Sequence, residues 1–538
     1  EINTLSGFFM ELCVRNSFDP KYKNKVLKHI SENVDKIKKK RFLSMNGRLK
    51  PHRHALIEFI GRNNLGDYID YSLLENNLPI DKYNFKTNVE DYVKNITEGE
   101  DVIGWHNMKS DEHKDFHINY VYADSKWWYA HKENLLPLYS NYNMDIVTES
   151  ESNHEDKLFF TEDHIAIQNM VQEFSKTEIE PIANELDANE QFPKKIVEKM
   201  GSLGLMGMII PSKYGGAGLD MISFVTAIIE LAKADASVAI TMAAHTSLGS
   251  LPLLLYGSEA QKKRYLPRLA KGEIIGAFGL TEPDAGSDAG GTKTKAILDG
   301  DNYIVNGGKI FITNAGEASV LSFTSKIEEE NNDLGIGAFI IPTNTKGLEI
   351  GNKEKKMGWK ASDTRQIFFK NMRIPKNSIM GKPGEGFKKF LKTLVSGRVS
   401  IGALSIGTAL GAYERALKYS SQRESFGKKI NKFQSISFKL ADMATKIEAS
   451  KLLVYHAAWM KDQGFNIIKE AAMAKLYASE TAMSVTGDAI QVLGGNGYTK
   501  ENQIERFYRD AKILEIGEGT SEIQRLIISR EIIKNIRF

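Results

Sequence analysis

The sequence predicts an α+β protein in which a helical domain, a β domain and a second helical domain follow one another along residues 158–538. Three observations support this order. Between Ile167 and Phe174, apolar residues recur at the spacing of one helix face. Farther along, Asp-Gly and Asn-Gly pairs separate short β-branched and aromatic runs, a pattern typical of hairpins. Beyond Gly386, helical patterns return and continue to the end of the chain.

Composition excludes several classes of function. The chain has 538 residues, a net charge of +3, 42% hydrophobic residues and 26% charged residues, so we expect several folded domains and no nucleic-acid partner. Its one cysteine, Cys13, excludes an internal disulfide. We expect no metal site, and no membrane span because no uncharged apolar run approaches about 20 residues. The first residue is Glu rather than Met, which leaves the natural N-terminus undefined.

The first 150 residues differ in composition from the rest. They hold seven of the eleven histidines and three of the five tryptophans, whereas most glycines follow them. The stretch 148–157 is acidic and polar, which is typical of an exposed connection. We interpret residues 1–150 as an extra α/β or mixed segment. Its role stays open between a fused binding module, a docking element and a fragment joined to the rest.

Residues 158–277 have the patterns of an all-helical domain. Thr161 lies where it can cap the first amphipathic helix. The stretch 221–249 is apolar and rich in small residues, and it predicts one continuous helix packed closely against its neighbours.

Residues 278–385 have the patterns of a β domain. The hairpin signals lie at 299–300 and 306–307. The loop TEPDAGSD (281–288) is expected to join the helical and strand regions, and it carries hydroxyls, backbone amides and a glycine that permits close approach to a ligand such as a diphosphate.

Residues 386–538 are expected to be helical and to contain the most informative carboxylate of the chain. In DAKILEIGEGTSEIQR (510–525), Glu518 lies between Gly517 and Gly519. Two flanking glycines leave room for a planar cofactor and a substrate to approach the carboxylate. This arrangement suits a base that removes a proton.

Six segments stand out, in order along the chain: AFGLTEPDAGSDAGG (277–291), NGGKIFITNAG (306–316), KMGWKASDTR (356–365), RESFGKKINKFQ (423–434), DAIQVLGGNGY (488–498) and the turn around Glu518. Together they resemble the acyl-CoA dehydrogenase family. The resemblance covers about 158–538 and implies an all-helical N-terminal domain, a central β-barrel-like domain, a C-terminal four-helix bundle and a homotetramer.

The resemblance implies that Glu518 is the catalytic base. It would take the α-proton of an acyl-CoA thioester while a hydride passes from the β-carbon to flavin, which gives a trans-2-enoyl-CoA. Some relatives carry the base on an earlier helix instead. Here that position is Gly397, which favours Glu518 as the base.

The resemblance also implies an FAD site and an acyl-CoA site. The part of FAD nearest the reaction would contact the loop and the strand after it, and its adenine and diphosphate would lie mainly against a neighbouring subunit. The implied FAD residues are Phe278, Leu280, Thr281, Ser287, Phe311, Thr313, Arg423, Phe426, Gln434, Gln491, Gly495, Thr520 and Glu522. The implied substrate residues are Ser287, Arg398, Gly519 and Arg530.

The expected electron acceptor is an electron-transferring flavoprotein, and the expected compartment is the cytoplasm, with the mitochondrial matrix as the alternative. Gly517 replaces a Tyr that short- and medium-chain relatives often have, so the acyl chain length stays open. An acyl-CoA oxidase is a second hypothesis, which the lack of a further helical domain after residue 538 disfavours. A non-catalytic scaffold of the same fold is a third.

Overall fold

The computed structural model describes residues 159–330 and 332–534. In these residues, seven α-helices precede a seven-stranded sheet, and a second helical region follows it. The predicted α+β class is therefore confirmed. The predictions for residues 1–150 lie outside the described residues.

The first helical region begins as expected. The Thr161 side chain accepts a hydrogen bond from the backbone N–H of His164, and Nδ1 of the His164 ring accepts one from the Thr161 backbone N–H, which forms a capping box. Val171 and Phe174 lie on the buried face. The helices are α1 (Glu162–Phe174), α2 (Ala183–Asn189), α3 (Lys194–Ser202), α4 (Met221–Ala234), α5 (Ala236–Ala244), α6 (Leu251–Tyr256) and α7 (Glu259–Ala270).

The expectation of one continuous helix over 221–249 was wrong. Asp235 adopts an extended conformation between α4 and α5, and its carboxylate accepts the N–H of Val238 at 2.9 Å. The same carboxylate binds buried Arg506 at 2.6 Å. A short polar side chain that caps a new helix competes with helix continuation, so the apolar run divides at this aspartate.

The central sheet is mixed. β4 pairs with β5 antiparallel, and it pairs with β1 and β2 parallel. Antiparallel pairs β2–β3, β3–β7 and β7–β6 extend the sheet. The strands are β1 (Ile275–Gly279), β2 (Lys295–Asp299), β3 (Asn302–Thr313), β4 (Ala318–Glu329), β5 (Asn332–Pro342), β6 (Leu348–Lys353) and β7 (Thr364–Pro375).

The two expected hairpin turns have different outcomes. A tight turn containing Gly300, with φ 59°, joins β2 to β3 and confirms the first. The Asn306–Gly307 pair lies inside β3, where the register with β7 shifts and Gly307 has φ 140°, so the second is a bulge. The 281–288 loop also follows β1 rather than a helix, because the chain enters the sheet at Ile275.

The second helical region packs closely on the first. At Gly407 of α8, a β-carbon would lie 2.4 Å from the carbonyl oxygen of Ile229 in α4, which only a glycine avoids. A small hairpin, β8 (Glu424–Ser425) and β9 (Lys428–Lys429), interrupts the helices. The helices are α8 (Gly386–Gln422), α9 (Gln434–Asp462), α10 (Ile468–Leu493), α11 (Gly495–Tyr498), α12 (Ile504–Lys512) and α13 (Ser521–Lys534).

In the part of the chain that the structure describes, two helical stretches, Ala236–Tyr256 and Gly386–Gln422, are long and apolar enough to cross a membrane by length and composition alone. The first contains no Asp, Glu, Lys or Arg in 21 residues, so the expectation that no such run approaches about 20 residues was wrong. Their apolar windows are 83% and 94% buried inside the protein. This burial is typical of core helices.

Candidate active site

A tight turn between α12 and α13 presents Glu518. After α12, the N–H of Gly517 donates to the carbonyl of Ile513 at 2.8 Å and closes the preceding turn. Glu518 and Gly519 then both have left-handed conformations, with φ of 53° and 100°. Glycine adopts positive φ without strain, whereas a glutamate there costs about 1–3 kcal/mol and has to be held by its surroundings. The turn therefore fixes the direction of the Glu518 side chain.

The Glu518 carboxylate points against α8. Its Oε2 atom is buried and has no hydrogen-bond partner among the described residues. A β-carbon at Gly397 would overlap this oxygen, so the carboxylate lies directly over a position where only a glycine fits. Buried polar atoms in native proteins nearly always have a partner. An unpartnered carboxylate oxygen is therefore a group available to a ligand.

Burial raises the pKa of Glu518 to about 7, although the nearby cations Arg398 and Lys475 act to lower it. Arg398 extends from α8, is 6% exposed, and its own pKa is lowered by burial. Its Nε atom also has no partner within the described chain. A carboxyl group with a pKa near neutrality can take up and release a proton under physiological conditions.

Two residues that the sequence analysis missed anchor the turn from behind. Lys475, on α10, is fully buried and its Nζ donates to the carbonyl oxygen of Gly519 at 2.9 Å. Gln524, also fully buried, donates to the same oxygen at 2.8 Å and to the Glu518 carbonyl oxygen at 3.4 Å. A signal for Lys475 exists in the sequence, because Lys475 shares one helix face with the apolar residues Ala471 and Ala478.

The 281–288 loop is anchored by a buried ion pair. Lys309 of β3 donates to Glu282 Oε1 at 2.6 Å and to the Leu280 carbonyl at 3.1 Å. Burial alone would raise the pKa of Glu282, but Lys309 and several N–H and O–H donors hold it down to about 2. The Ile310 N–H donates to the Thr281 carbonyl at 2.9 Å. These bonds fix the loop at the edge of β3.

Phe311, on β3, is an unusual aromatic residue. Its ring is 63% exposed and its φ is 61°, in the left-handed region that a bulky residue rarely adopts. Thr313, two residues farther on and beyond the irregularity that shifts the β3–β7 register between Lys309 and Ile312, is half-buried. An exposed aromatic ring two residues from a threonine hydroxyl, next to the 281–288 loop that Ile310 binds, suits a planar ring system with polar edges.

Comparisons with known proteins agree with this geometry. Residues 161–273, 277–372 and 384–533 match the models of the N-terminal, middle and C-terminal domains of acyl-CoA dehydrogenases. A curated Bacillus subtilis (strain 168) protein, the "Probable acyl-CoA dehydrogenase YngJ", is 48% identical over 375 residues, which are 70% of this chain and 99% of that protein. The chain belongs to the acyl-CoA dehydrogenase family. The family resemblance inferred from the sequence motifs is thereby confirmed, and the chain is an enzyme of acyl-CoA dehydrogenation.

Other relatives extend the comparison. The mitochondrial "Short-chain specific acyl-CoA dehydrogenase" of Bos taurus is 43% identical, over 70% of this chain and 91% of its own length. Butyryl-CoA dehydrogenase from Megasphaera elsdenii is 41% identical with a TM-score of 0.68, over 70% of this chain and 99% of that one.

Two further solved structures bear on cofactor and partner. A chain from the structure "Electron transferring flavoprotein of Acidaminococcus fermentans: Towards a mechanism of flavin-based electron bifurcation" is 44% identical, with a TM-score of 0.68 over 70% of this chain and 99% of that one. An acyl-CoA dehydrogenase complexed with FAD from Bacillus anthracis is 34% identical, with a TM-score of 0.66 over 70% of this chain and 67% of that one.

Within this acyl-CoA dehydrogenase chain, only part of the predicted site converges. Glu518, Arg398 and Gly519 meet at the turn, and Thr520 begins the helix beside them. Phe278 instead stacks on Phe390, with ring centroids 4.3 Å apart. Leu280 is buried beneath the loop. The remaining predicted side chains and Gly495 are exposed: Ser287, Arg423, Phe426, Gln434, Gln491, Glu522 and Arg530.

Some of the exposed residues share one end of the bundle. Arg423 directly follows α8, and Phe426 lies at the tip of the β8–β9 hairpin with 93% of its surface exposed. Asn496 donates to the Tyr419 hydroxyl at 2.7 Å, which brings the turn at Gly495 to the same end of α8. These residues form a surface group separate from the Glu518 turn. No cluster of His, Cys, Asp and Glu suited to a metal ion occurs in residues 159–330 and 332–534.

Proposed function

We propose that this acyl-CoA dehydrogenase uses FAD to oxidise the α and β carbons of an acyl-CoA thioester, with Glu518 as the base. The observation that carries the proposal is the Glu518 carboxylate, which is fixed by a left-handed turn, has a buried unpartnered oxygen and has a pKa raised to about 7. A solvated carboxylate is too weak a base for the α-proton of a thioester. Burial raises the pKa of the carboxyl group and so makes the carboxylate a stronger base.

The proposed step is a balanced two-electron oxidation. One oxygen of Glu518 takes the α-proton, and the β-carbon loses a hydride. The electron pair of the broken Cα–H bond forms the new double bond, and the product is a trans-2-enoyl-CoA. The thioester carbonyl has to be polarised while the proton leaves, and the backbone N–H of Glu518 is the proposed donor from the protein.

FAD, when bound, supplies the acceptor for the hydride. Phe311 is proposed to stack on the flavin, since its ring is exposed and held in a strained conformation. Thr313, Thr281 and the backbone near Leu280 are proposed to bond the flavin edge, and Ser287 to lie near both FAD and CoA. The Lys309–Glu282 pair keeps this loop in place.

The outlying part of FAD is proposed to bind across a subunit boundary. In a single chain, the side chains proposed to bind this part of FAD are exposed. An arginine such as Arg423 suits a diphosphate because its planar guanidinium donates two hydrogen bonds. A homotetramer, which is typical of the family, would place the group against a second copy. The group comprises Arg423, Phe426, Gln434, Gln491 and Gly495.

The acyl-CoA is proposed to lie between Arg398, Gly519 and the carboxylate, with Ser287 and Arg530 toward the CoA portion. Relatives named for short-chain and butyryl-CoA substrates favour a short acyl group. Gly517 leaves space beside the base, because a β-carbon there would meet only the Ile513 carbonyl, at 3.4 Å. We therefore expect branched or somewhat longer acyl groups to be accepted as well.

The proposed acceptor of the electrons is an electron-transferring flavoprotein, in keeping with the structural match to a chain from such a system. The proposed compartment is the cytoplasm, with the mitochondrial matrix as the alternative, since the Bos taurus relative is named as mitochondrial.

Product analysis tests the proposal. The purified protein is incubated with butyryl-CoA, branched acyl-CoAs and longer acyl-CoAs, with either an electron-transferring flavoprotein or oxygen as acceptor. We expect 2-enoyl-CoA by mass spectrometry, and faster turnover with the flavoprotein. Rapid formation of hydrogen peroxide with oxygen would instead assign an acyl-CoA oxidase. Absence of an enoyl product with every acyl-CoA would contradict the proposed reaction.

A further inference from the structure

Lys475 has an environment that a surface lysine lacks. It lies on α10 with no exposed surface, and its Nζ donates to the Gly519 carbonyl at 2.9 Å. Burial lowers the pKa of Lys475 to about 8, although Glu518 acts to raise it. Burying an ammonium group is costly unless a nearby partner compensates. Here that partner is the turn that carries Glu518.

The carbonyl that Lys475 holds belongs to the residue that sets the direction of Glu518. Gly519 has φ 100° and Glu518 has φ 53°, so two consecutive residues have left-handed backbone conformations. Gln524 donates to the same carbonyl at 2.8 Å. Two buried donors on one carbonyl fix the peptide plane between Gly519 and Thr520, and with it the position of the preceding residue.

We propose that Lys475 is a positioning residue for Glu518: its buried ammonium fixes the Gly519 carbonyl and stabilises the ionised form of the base. This proposal rests on the proposed role of Glu518 and adds a residue that acts through it. Lys475 does not have to touch the substrate, because both effects pass through the turn. Arg398, on α8, is a second cation that lowers the pKa of the Glu518 carboxyl group.

Several other charged groups act on Glu518 and Lys475. Arg398 of α8 and Lys475 of α10 lower the pKa of Glu518. Glu518 and Glu515 of the turn segment and Glu480 of α10 raise the pKa of Lys475, and Lys475 lowers the pKa of Glu522 of α13.

Lys475→Met removes the charge and the hydrogen bond while it keeps the length of the side chain. We expect the pH midpoint for ionisation of Glu518 to rise by about one pH unit, because a cation close to a carboxylate has been lost. At pH 7 and low acyl-CoA, the second-order rate constant for flavin reduction should fall about fivefold, because the ionised fraction falls from about a half to about a tenth. The rate should recover as the pH is raised.

The control is Lys469→Met, on the same helix, where the side chain is partly exposed and pairs with Glu470 at 3.1 Å. It should leave both the rate and the midpoint unchanged. A purely structural role for Lys475 would lower the rate equally at all pH values. If Lys475→Met is insoluble, Lys475→Gln keeps a donor without the charge, and the same rise of the midpoint is expected.

Ionisation of Glu518 can also be measured without turnover. The infrared difference spectrum between the parent protein and Glu518→Gln isolates the carboxyl band of Glu518. The band is titrated with pH in the parent protein and, with the corresponding pair of proteins, in the Lys475→Met background. A parental midpoint in the soluble Lys475 variant overturns the proposal. Failure of the proposed function would appear separately, as no flavin reduction by acyl-CoA in the parent protein, and the infrared titration would still decide the role of Lys475.

Discussion

The turn at Glu518 and the surface group at Arg423 differ in how much of their environment one chain supplies. Glu518 lies over Gly397, and the turn is bonded from behind by Lys475 and Gln524. Phe426, in the surface group, is 93% exposed, and its ring meets that of Phe433 edge-on with centroids 6.1 Å apart. A single chain therefore surrounds the base with its own residues, whereas the side chains of the surface group are exposed.

This difference indicates that the two regions have different roles. Preorganisation of a base needs buried, rigid supports from the same chain, because small displacements are costly to catalysis. Residues that bind a long cofactor at its outer end can come from a second copy, since exposed side chains can bind once the copies assemble. Substitutions in each region separate these two roles.

The largest effect is expected from Glu518→Gln. The amide fills the same space but cannot accept the α-proton, so flavin reduction by acyl-CoA should fall at least about 100-fold while flavin stays bound. The measurement is anaerobic stopped-flow absorbance. The control is Glu515→Gln in the same segment, where the carboxylate pairs with Lys512 at 2.6 Å. A loss below about tenfold in Glu518→Gln would place the base elsewhere.

A somewhat smaller effect is expected from Gly397→Ala. The added methyl group overlaps Glu518 Oε2 and moves the carboxylate, so flavin reduction should fall by about 10- to 100-fold without loss of flavin. Gly487→Ala, in a helix where a β-carbon meets only the Tyr508 ring at 3.6 Å, serves as the matched control. Parental rates in Gly397→Ala would mean that the carboxylate is free to move away from α8.

Arg423→Ala tests the surface group. We expect the flavin-to-protein ratio to fall severalfold and the tetramer to weaken, because the guanidinium is proposed to bind the FAD diphosphate of another subunit. Flavin absorbance and light scattering measure the two quantities. Arg373→Ala, which removes only an exposed pair with Asp299 at 2.7 Å, should change neither. A monomer with full flavin would contradict the proposed shared site.

The smallest effect is expected from deletion of residues 1–154. Every motif of the family lies after residue 158, so a chain that begins at Glu155 should be yellow and turn over at close to the parental rate. Steady-state turnover on the best acyl-CoA checks this. A colourless or insoluble product would show that the front segment is part of the dehydrogenase.

The sequence predicted the order of the helical and β regions and the turn that carries Glu518, because both depend on local patterns. Thr161 caps its helix, and Glu518 between two glycines marks the turn. The break at Asp235 was missed because the apolar pattern continues across it; its cap on Val238 is local, but its pair with buried Arg506 joins distant segments. Lys475 was missed because its bond joins residues 44 positions apart. Contacts between distant segments are not visible in the periodicity of one stretch.

Anaerobic titration of the purified protein with acyl-CoA, followed by its visible spectrum, tests the central claim most directly. We expect both proteins to be yellow. A suitable acyl-CoA should bleach the flavin absorbance of the parent protein, whereas the absorbance of Glu518→Gln should remain unbleached. A colourless protein that also fails to take up added FAD, or equal bleaching in both proteins, would contradict the claim that Glu518 is the base of a flavin-dependent acyl-CoA dehydrogenase.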